Sequence, residues 1–399
     1  TMPGGQDKRI VIVDIDEKSL GEEGRWPWPR NRVAQLIDLL FDKYDIALLG
    51  MDVVWAEPDK SSGLDTLDKL AANQLAGIEQ YQQVLEELRP SLMNDRIFAE
   101  SLRNRRIVLG YYFDTETRVD SAIHSGQLPP PTFTSADFGN NPPRLVQASG
   151  YGANLPDIQA SAVDAGHFNP DPDVDGIVRK VPMLIQFEDG YYASLSLAIS
   201  RQLLDRTDVL PVFADGTSMA SNHNSYSDME WLRVGNYTVP IDEYARTLIP
   251  YRGPKNSFPY ISATDVLNER VDPAKLAGTI VLLGTSAPGL LDLRSAPMQT
   301  NFPGVEIHAN LVAGFLDQNF KHKPAWVIGA EIVLIFLIGL FMALLLPVMS
   351  PLIASLFTFI TITAVIMLNL YVWNTAHIVI PLASTLLMII MLYVACLLY

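Results

Sequence analysis

Cysteine is almost absent from the sequence, in which Cys396 is the single example. One cysteine excludes an intrachain disulfide, and the first 395 residues contain no thiol at all. A cysteine-free domain is compatible with an oxidising compartment, because it has no thiol that must stay reduced. The chain also starts without the apolar stretch of a signal peptide, so we expect an earlier segment to direct any exported domain.

Positive charge is scarce as well. The sequence has 29 Lys and Arg against 44 Asp and Glu, which gives a net charge of −15. A domain with this balance repels the phosphates of nucleic acids and does not dock flat onto an anionic lipid surface. The composition therefore predicts no nucleic-acid partner.

Charge nearly disappears after Lys323, because Glu331 is the only ionised side chain beyond it. A bilayer is crossed by about 20 apolar residues of helix. The pattern therefore predicts three transmembrane helices in residues 324–399, at 325–346, 351–373 and 378–399. The third run reaches Tyr399 without a polar stop, so we expect the natural protein to continue past it. Lys321 and Lys323 alone favour a cytoplasmic position for the preceding domain.

Two residues of the first apolar run are candidates for passing a signal between helices. A carboxylate such as Glu331 is expensive in a bilayer and often functional there, although it can also snorkel to the nearby surface. Gly339 forms a small-xxx-small pair with Ala343, which favours close helix contact.

Strands and helices alternate through residues 9–323, which predicts an α/β domain with a mixed sheet. The apolar runs 9–14 and 46–54 enclose an amphipathic helix at 32–44, and such a unit favours adjacent parallel strands. A long amphipathic helix is expected over 64–88, ending before Pro90. It packs against the sheet or, because its apolar spacing is near 3.5 residues, pairs with a second copy as a coiled coil.

Acidic side chains follow the first two predicted strands: Asp14, Asp16 and Glu17 after one, and Asp52 after the other. Ligands of α/β sheets bind at this edge, so these acids are candidates for holding a metal or a cationic or polyhydroxylated ligand. The alternative is that they cap local loops and helices.

Arginine and tryptophan flank the same region. Arg25 and Arg30 bracket a loop that contains Trp26 and Trp28 and is stiffened by two prolines, and Arg252 lies before a glycine. These cations either pair internally with the strand-end acids or hold a carboxylate ligand. The loop is therefore a second candidate for the wall of a ligand site.

A later strand ends in a turn at residues 284–289, which includes Thr285 and Ser286 and precedes Asp292. The turn lacks the lysine and spacing of a nucleotide loop, so we interpret it as a wall of a small-ligand pocket. Ser286 with His167 or His308 is the remaining option for hydrolysis, but Ser286 is not in a nucleophile-elbow motif.

Three aspartates at alternate positions, Asp171, Asp173 and Asp175, precede Gly176 and resemble the start of a calcium loop. Pro182 occupies the position where such a loop places its last carboxylate. The choice is between a weak metal site and a structured turn.

Several segments together resemble one family, the CHASE2 domains. They are residues 12–30 (IVDIDEKSLGEEGRWPWPR), 50–58 (GMDVVWAEP), 166–182 (GHFNPDPDVDGIVRKVP), 251–254 (YRGP), 278–290 (GTIVLLGTSAPGL) and 303–310 (PGVEIHAN). The resemblance covers roughly residues 9–320. It implies an extracytoplasmic sensor in a multi-pass protein of the bacterial inner membrane, preceded by a membrane helix and followed by three. Residues 1–8 would then link the missing helix to a sensor domain at 9–323.

The resemblance also implies an output module after the membrane helices. In CHASE2 receptors this module is most often a class III adenylate or guanylate cyclase, and otherwise a histidine or Ser/Thr kinase. A cyclase implies a homodimer and Mg²⁺ or Mn²⁺ in that module, whereas this chain needs no cofactor or catalytic site of its own. The expected partners are the bilayer, a second copy and an unidentified extracytoplasmic ligand or protein. A tethered hydrolase and a membrane scaffold are the alternatives.

Overall fold

The computed structural model describes residues 5–115, 123–138, 142–205, 208–213, 218, 229–287, 293–324 and 326–398. Its α-helices are α1 (Glu17–Glu23), α2 (Arg30–Asp38), α3 (Leu64–Ala72), α4 (Glu79–Leu92), α5 (Asn94–Leu102), α6 (Pro156–Ser161), α7 (Leu195–Leu203), α8 (Ala263–Leu267), α9 (Gly304–Asp317), α10 (Trp326–Leu345), α11 (Pro351–Thr375) and α12 (Ala383–Leu398).

The strands are β1 (Ile10–Ile15), β2 (Leu48–Met51), β3 (Ile107–Asp114), β4 (His124–Ser125), β5 (Phe133–Thr134), β6 (Val146–Gln147), β7 (Gly150–Gly152), β8 (Asp164–His167), β9 (Asp171–Pro172), β10 (Val178–Pro182), β11 (Leu184–Phe187), β12 (Gly190–Ala193), β13 (Val209–Phe213), β14 (Met229–Val234), β15 (Tyr237–Pro240), β16 (Arg246–Leu248), β17 (Tyr260–Ser262), β18 (Ile280–Thr285), β19 (Leu293–Ala296) and β20 (Gln299–Pro303).

A parallel sheet with the order β17-β1-β18-β2-β3 forms the centre of the domain. On its far side β3 pairs with β8 in parallel, and its last residues pair with β7 antiparallel. The sheet is therefore mixed, as the sequence predicts. The expected adjacency of β1 and β2 is wrong, because β18 lies between them and pairs with both. All residues of β18 are buried. The centre of the sheet suits this apolar strand, because neighbouring strands and helices cover it there on every side.

Helices cover both faces of the sheet. In β1, Val11, Val13 and Ile15 pack in the cluster that contains residues of α2, α5 and α8. Ile10 and Ile12 point the other way, into the cluster formed with α7 and α9. Alternate residues of a strand point to opposite faces, so a strand buried on both sides has a continuous apolar sequence.

Smaller sheets, antiparallel except for the parallel pair of β6 and β11, form a second core beside the first. One has the order β5-β12-β11-β6, one joins β10 to β9 and β16, and one has the order β13-β14-β15. Strands β14 and β15 form a hairpin, in which Val234 pairs with Tyr237 and Gly235 takes a positive φ of 58° in the turn.

The long helix predicted over 64–88 is two helices. The chain turns after α3, and α4 folds back on it. Two contacts hold the pair: the Tyr81 hydroxyl donates to the Leu67 carbonyl at 3.0 Å, and Arg89 pairs with Asp68 at 2.8 Å. Helix α4 also continues through Pro90 to Leu92. Two packed helices joined by a turn therefore replace the single continuous helix that the apolar spacing predicted.

Two helices, α10 and α11, are long and apolar enough to cross a membrane. Their side chains are largely uncovered, with Phe336 65% and Phe359 67% exposed. The third predicted helix is wrong over residues 378–382, because α12 begins at Ala383 and has 16 residues. Residue Ile378 instead forms a β-bridge with His322, and the Val379 amide donates to the His322 carbonyl at 2.9 Å.

Candidate functional site

Asp14 lies at the carboxyl end of β1, between Ser262 of β17 and Gly284 of β18. Its side chain is only 5% exposed, and its Oδ2 accepts a hydrogen bond of 2.5 Å from the Ser286 hydroxyl. Its Oδ1 has no hydrogen-bond partner among the described residues. Burial raises the pKa of Asp14 to about 6, with a further increase from Asp16, and the Ser286 hydrogen bond only partly opposes this.

Asp16 caps the start of α1, which is the alternative role that the sequence analysis gave for the strand-end acids. Its carboxylate accepts from the Ser19 amide at 2.8 Å at the start of α1, and from the Ser262 hydroxyl at 2.5 Å. Glu17 lies exposed in the first turn of α1, where a negative charge is favourable. These two acids stabilise the edge, whereas one carboxylate oxygen of Asp14 has no hydrogen-bond partner in the described part of the chain.

A second buried carboxylate, Glu306 on α9, lies near Asp14. It is 0% exposed and accepts from the amides of Asn256 and Ser257 at 3.2 and 2.9 Å and from the Tyr260 hydroxyl at 2.7 Å. Burial raises the pKa of Glu306 despite these hydrogen bonds and the attraction of Lys255. Lys255 also attracts Asp14, and the charge of Asp14 raises the pKa of Tyr260. Two carboxylates, a phenol and one ammonium therefore share one electrostatic environment.

The sequence interpretation missed Glu306, Tyr260 and Lys255. One signal was present: Glu306 belongs to a mostly apolar helix, where an acid needs a structural reason to be buried. Its partners lie about 50 residues earlier in the chain, so no local pattern connects them.

Asp52 is in a different place from Asp14. It borders a cavity of about 10 Å³ together with Phe168, Arg294 and His308, and Asp14 is not among the lining residues. A cavity of this size holds at most a single water molecule. Within the described residues, Asp14 and Asp52 therefore do not line the same cavity.

The residues considered for hydrolysis are not assembled as a catalytic group in the described part of the chain. Ser286 pairs with Asp14, and neither ring nitrogen of His167 has a partner there. Burial lowers the pKa of His167 to about 3, with a contribution from nearby His308, and burial lowers the pKa of His308 to about 4. Both imidazoles are neutral at physiological pH, and the described residues include no hydrogen bond between Ser286 and either histidine.

Arg30 and Arg252 pair internally, and the partners that the structure describes for them are other acids of the domain. Arg30 stacks over the Trp55 ring at 4.3 Å and lies 3.7 Å from Asp95. Arg252 pairs with Asp317 and, at 3.3 Å, with Asp7. Asp7, which the sequence analysis places in a linker, therefore contacts the domain through this ion pair.

The tryptophan loop forms part of the core rather than an open wall. The rings of Trp26 and Trp28 lie 5.4 Å apart in an edge arrangement, and Trp26 lies 5.6 Å from Trp55. The Trp28 indole donates to the Gly24 carbonyl at 2.9 Å. Arg25 is exposed at the beginning of this loop. Trp26, Trp28 and Arg30 therefore lie on the α2 and α5 face, whereas Asp14 shares its surroundings with α9.

The three aspartates of the possible calcium loop are neutralised by arginine. Arg179 pairs with Asp173 at 2.7 Å and with Asp175 at 2.9 Å, and Arg246 pairs with Asp171 at 3.0 Å. Within the residues that the structure describes, no group of three or more His, Cys, Asp or Glu side chains is placed to hold a metal ion.

The remaining candidates lie in the turn after β18 and in the membrane helices. Thr285 is buried at the end of β18, and Asp292 lies outside the described residues. Glu331 on α10 accepts a hydrogen bond from the Ser384 hydroxyl on α12. A Cβ atom at Gly339 would lie 3.3 Å from the Met388 sulfur, so this glycine permits the close approach of α12.

The geometry can be compared with known families. The model of the CHASE2 domain matches residues 2–345. The chain belongs to the CHASE2 family. No curated protein and no solved structure is significantly similar to the chain.

CHASE2 domains are extracellular sensor domains of signalling receptors. The CHASE2 match ends at residue 345, which is also the last residue of α10, so the family pattern includes the first candidate membrane helix. Two of its sequence segments are in direct contact: the Arg252 amide donates to Asn310 Oδ1 at 2.9 Å, and Asn310 Nδ2 donates to the Glu306 carbonyl at 2.7 Å. These segments therefore hold the loop after β16 against α9.

Proposed function

We propose that this CHASE2 domain is the input module of a membrane receptor and that its ligand site is centred on Asp14. The observation that carries the proposal is a buried carboxyl group at the ligand-binding edge of an α/β sheet, with one oxygen that has no hydrogen-bond partner among the described residues. Structural acids of the same edge, such as Asp16, have their hydrogen bonds satisfied. Polar groups that lack partners in a core are uncommon and point to a functional role.

The chemistry of the site favours a small cationic ligand. Asp14 and Glu306 are both acidic and buried, and Lys255 is the one cation that influences both of their pKa values. An ammonium group that donates a hydrogen bond to Asp14 Oδ1 would stabilise the ionised carboxylate and give this oxygen a partner. An anionic ligand would meet two carboxylates, which is unfavourable.

The path from this site to the membrane is short. Gly284 of β18 contacts Val305 at the start of α9, since a Cβ atom at Gly284 would lie 2.5 Å from the Val305 side chain. Helix α9 ends at Asp317, and α10 begins at Trp326. We propose that ligand binding at Asp14 displaces α9 and thereby the start of α10. Glu331 and Gly339 would pass the change to α12 through their contacts with Ser384 and Met388.

The output and location are finer parts of the same proposal. We propose that the domain lies outside the bacterial inner membrane, that the receptor is a homodimer, and that its output is a class III adenylate cyclase that uses Mg²⁺ or Mn²⁺. The support is the family resemblance described above. A histidine or Ser/Thr kinase is the alternative output.

The ligand proposal is tested by thermal unfolding of the full chain in nanodiscs against a panel of small amines. Binding should raise the unfolding midpoint of wild type and of the Glu17→Gln control, and Asp14→Asn should abolish the increase. Equal increases in all three proteins would show that the amine binds elsewhere. The output is tested separately, by measuring cyclic AMP in a cyclase-deficient bacterial strain that expresses the natural full-length protein.

A further inference from the structure

A cavity of about 300 Å³ lies where the sensor domain meets α10. One wall comes from β10, β14 and the chain between β15 and β16, and the other from residues 322–324 and Ile328 of α10. The cavity is not part of the strand edge around Asp14. It therefore has its own chemistry, which the proposed sensor function does not use.

The floor of the cavity is a satisfied ion network. Asp242 accepts from Lys180 at 2.8 Å and from Arg246 at 2.9 Å, and Arg246 also pairs with Asp171 at 3.0 Å. These charges neutralise one another and leave little for a ligand. Their role is to fix the shape of the wall.

Three other charged residues line the cavity without such partners. Lys323, Glu230 and Glu243 make no side-chain hydrogen bond or ion pair with the described residues. Lys323 and Glu243 are exposed, and Glu230 is partly buried. One cation and two carboxylates match a zwitterion whose anionic group meets Lys323 and whose ammonium group meets the acids. A purely anionic ligand would leave both carboxylates unpaired and repelled.

The other end of the cavity is apolar and lies beside the start of α10, a candidate membrane helix. It includes Trp231 and Ile328, and Ile328 is exposed on α10 two residues after the helix begins. Lys321 Nζ donates to the Trp373 carbonyl at 3.0 Å and lies 5.6 Å from the Trp373 ring, which places the end of α11 beside the start of α10. Tryptophans at helix ends are typical of the lipid–water interface.

We infer that this cavity binds the headgroup of a zwitterionic phospholipid with a primary ammonium, a phosphatidylethanolamine, from the leaflet on the sensor side. The phosphate contacts Lys323, the ammonium contacts Glu230 and Glu243, and the start of an acyl chain lies along Ile328. A primary ammonium donates three hydrogen bonds to carboxylates, whereas the quaternary ammonium of choline donates none. This charge pattern therefore distinguishes ethanolamine from choline and glycerol headgroups.

A bound lipid would contact both the domain and the first membrane helix. Residue His322, in the wall formed by residues 322–324, already contacts both the domain and the membrane helices. Its ring lies 4.9 Å from the Trp231 ring of β14, and its amide donates to the His377 carbonyl, after α11, at 3.0 Å. A lipid in the cavity would add a second connection between β14 and α10. Headgroup composition would then affect how firmly the domain is coupled to its helices.

The test is native mass spectrometry of the delipidated full chain with an equimolar mixture of phosphatidylethanolamine, phosphatidylcholine and phosphatidylglycerol that share the same acyl chains. We expect wild type to retain one ethanolamine lipid at least five-fold over the other two. Lys323→Glu and the double variant Glu230→Gln/Glu243→Gln should each reduce that retention at least five-fold. Lys275→Glu, the same charge reversal at an exposed residue away from the cavity, should leave it unchanged.

Three results would overturn the inference. The first is equal retention of the three lipids by wild type, and the second is retention of the ethanolamine lipid by both cavity variants. The third is full displacement of the lipid by an equal concentration of glycerophosphoethanolamine, which would make the ligand a water-soluble headgroup. Lys323 is exposed and has no described partner, so its variant is expected to fold, and circular dichroism with the unfolding midpoint checks this.

Discussion

The Ser286 hydroxyl reaches across from the end of β18 to donate to the Asp14 carboxylate on β1, over 2.5 Å. This hydrogen bond joins two segments 272 residues apart at the ligand-binding edge of the sheet. It satisfies one carboxylate oxygen and leaves the other without a described partner. Burial in this arrangement raises the pKa of Asp14 to about 6, so the charge of Asp14 depends on pH.

The first prediction concerns pH. The pKa of Asp14 is raised from 3.8 to about 6 in the folded domain, so the folded state holds a proton that the unfolded state releases. Stability from this group is complete below pH 3.8 and falls as the pH rises toward 6, by roughly 3 kcal/mol. We expect the unfolding midpoint of wild type to fall relative to Asp14→Asn over this window and to stay lower above it. Parallel midpoint curves from pH 4 to 7 would contradict the pKa shift.

The second prediction concerns Glu306, which accepts three hydrogen bonds while fully buried. Glu306→Ala should destabilise the domain by about 3 kcal/mol or more, because it leaves buried donors unpaired. Tyr260→Phe removes one of these donors and should cost about 1 kcal/mol. Denaturant unfolding measures both, and exposed Glu17→Ala is the control, expected within about 0.5 kcal/mol of wild type. A Glu306→Ala protein as stable as this control would refute the role.

The third prediction concerns the contact between α10 and α12. Glu331→Ala and Ser384→Ala should be coupled by about 1 kcal/mol in a double-mutant cycle of unfolding in detergent, because each substitution removes the hydrogen bond that the two residues share. Gly339→Leu should weaken the same helix pair by crowding Met388. Gly329→Leu is a matched control, since a Cβ there meets nothing within 4 Å. Independent effects of Glu331 and Ser384 would argue against a helix-to-helix relay.

The fourth prediction concerns topology. In a cysteine-free full-length protein, Lys275→Cys on the exposed surface of the domain should react with a membrane-impermeant maleimide in intact spheroplasts. Ser350→Cys, between α10 and α11, should react only after lysis. The reverse pattern would place the domain in the cytoplasm, as Lys321 and Lys323 alone suggest.

The fifth prediction concerns the proposed homodimer. The α3–α4 hairpin has exposed apolar side chains at Ile78, Val84 and Leu88. If a second copy covers them, Val84→Asp/Leu88→Asp should lower the dimer fraction in light scattering of the full chain. Glu87→Lys, also exposed on α4, tests whether charge change alone has this effect. An unchanged dimer fraction in the double variant would place the dimer contact elsewhere.

The fold class was predictable from local patterns, but the site was only partly so. Apolar runs such as β1 predict buried strands, and the position of Asp14 at a strand end identified it as a candidate. The partners Ser286 and Glu306 required knowledge of which distant segments meet, and strand order is set by packing rather than by local sequence. The break between α3 and α4 was missed because the apolar spacing continues through the turn.

The central position of β18 affects how the domain forms during synthesis. Strands β1 and β2 emerge early, but the strand that pairs with both starts at Ile280. Until then the two early strands have unpaired edges, and the sheet closes last at its middle. Pairing between such distant segments is slow and leaves edges open to aggregation. The sensor sheet can be completed only after β18 has been synthesised, and the membrane helices follow soon afterwards. The sensor domain and the membrane helices therefore assemble at nearly the same time.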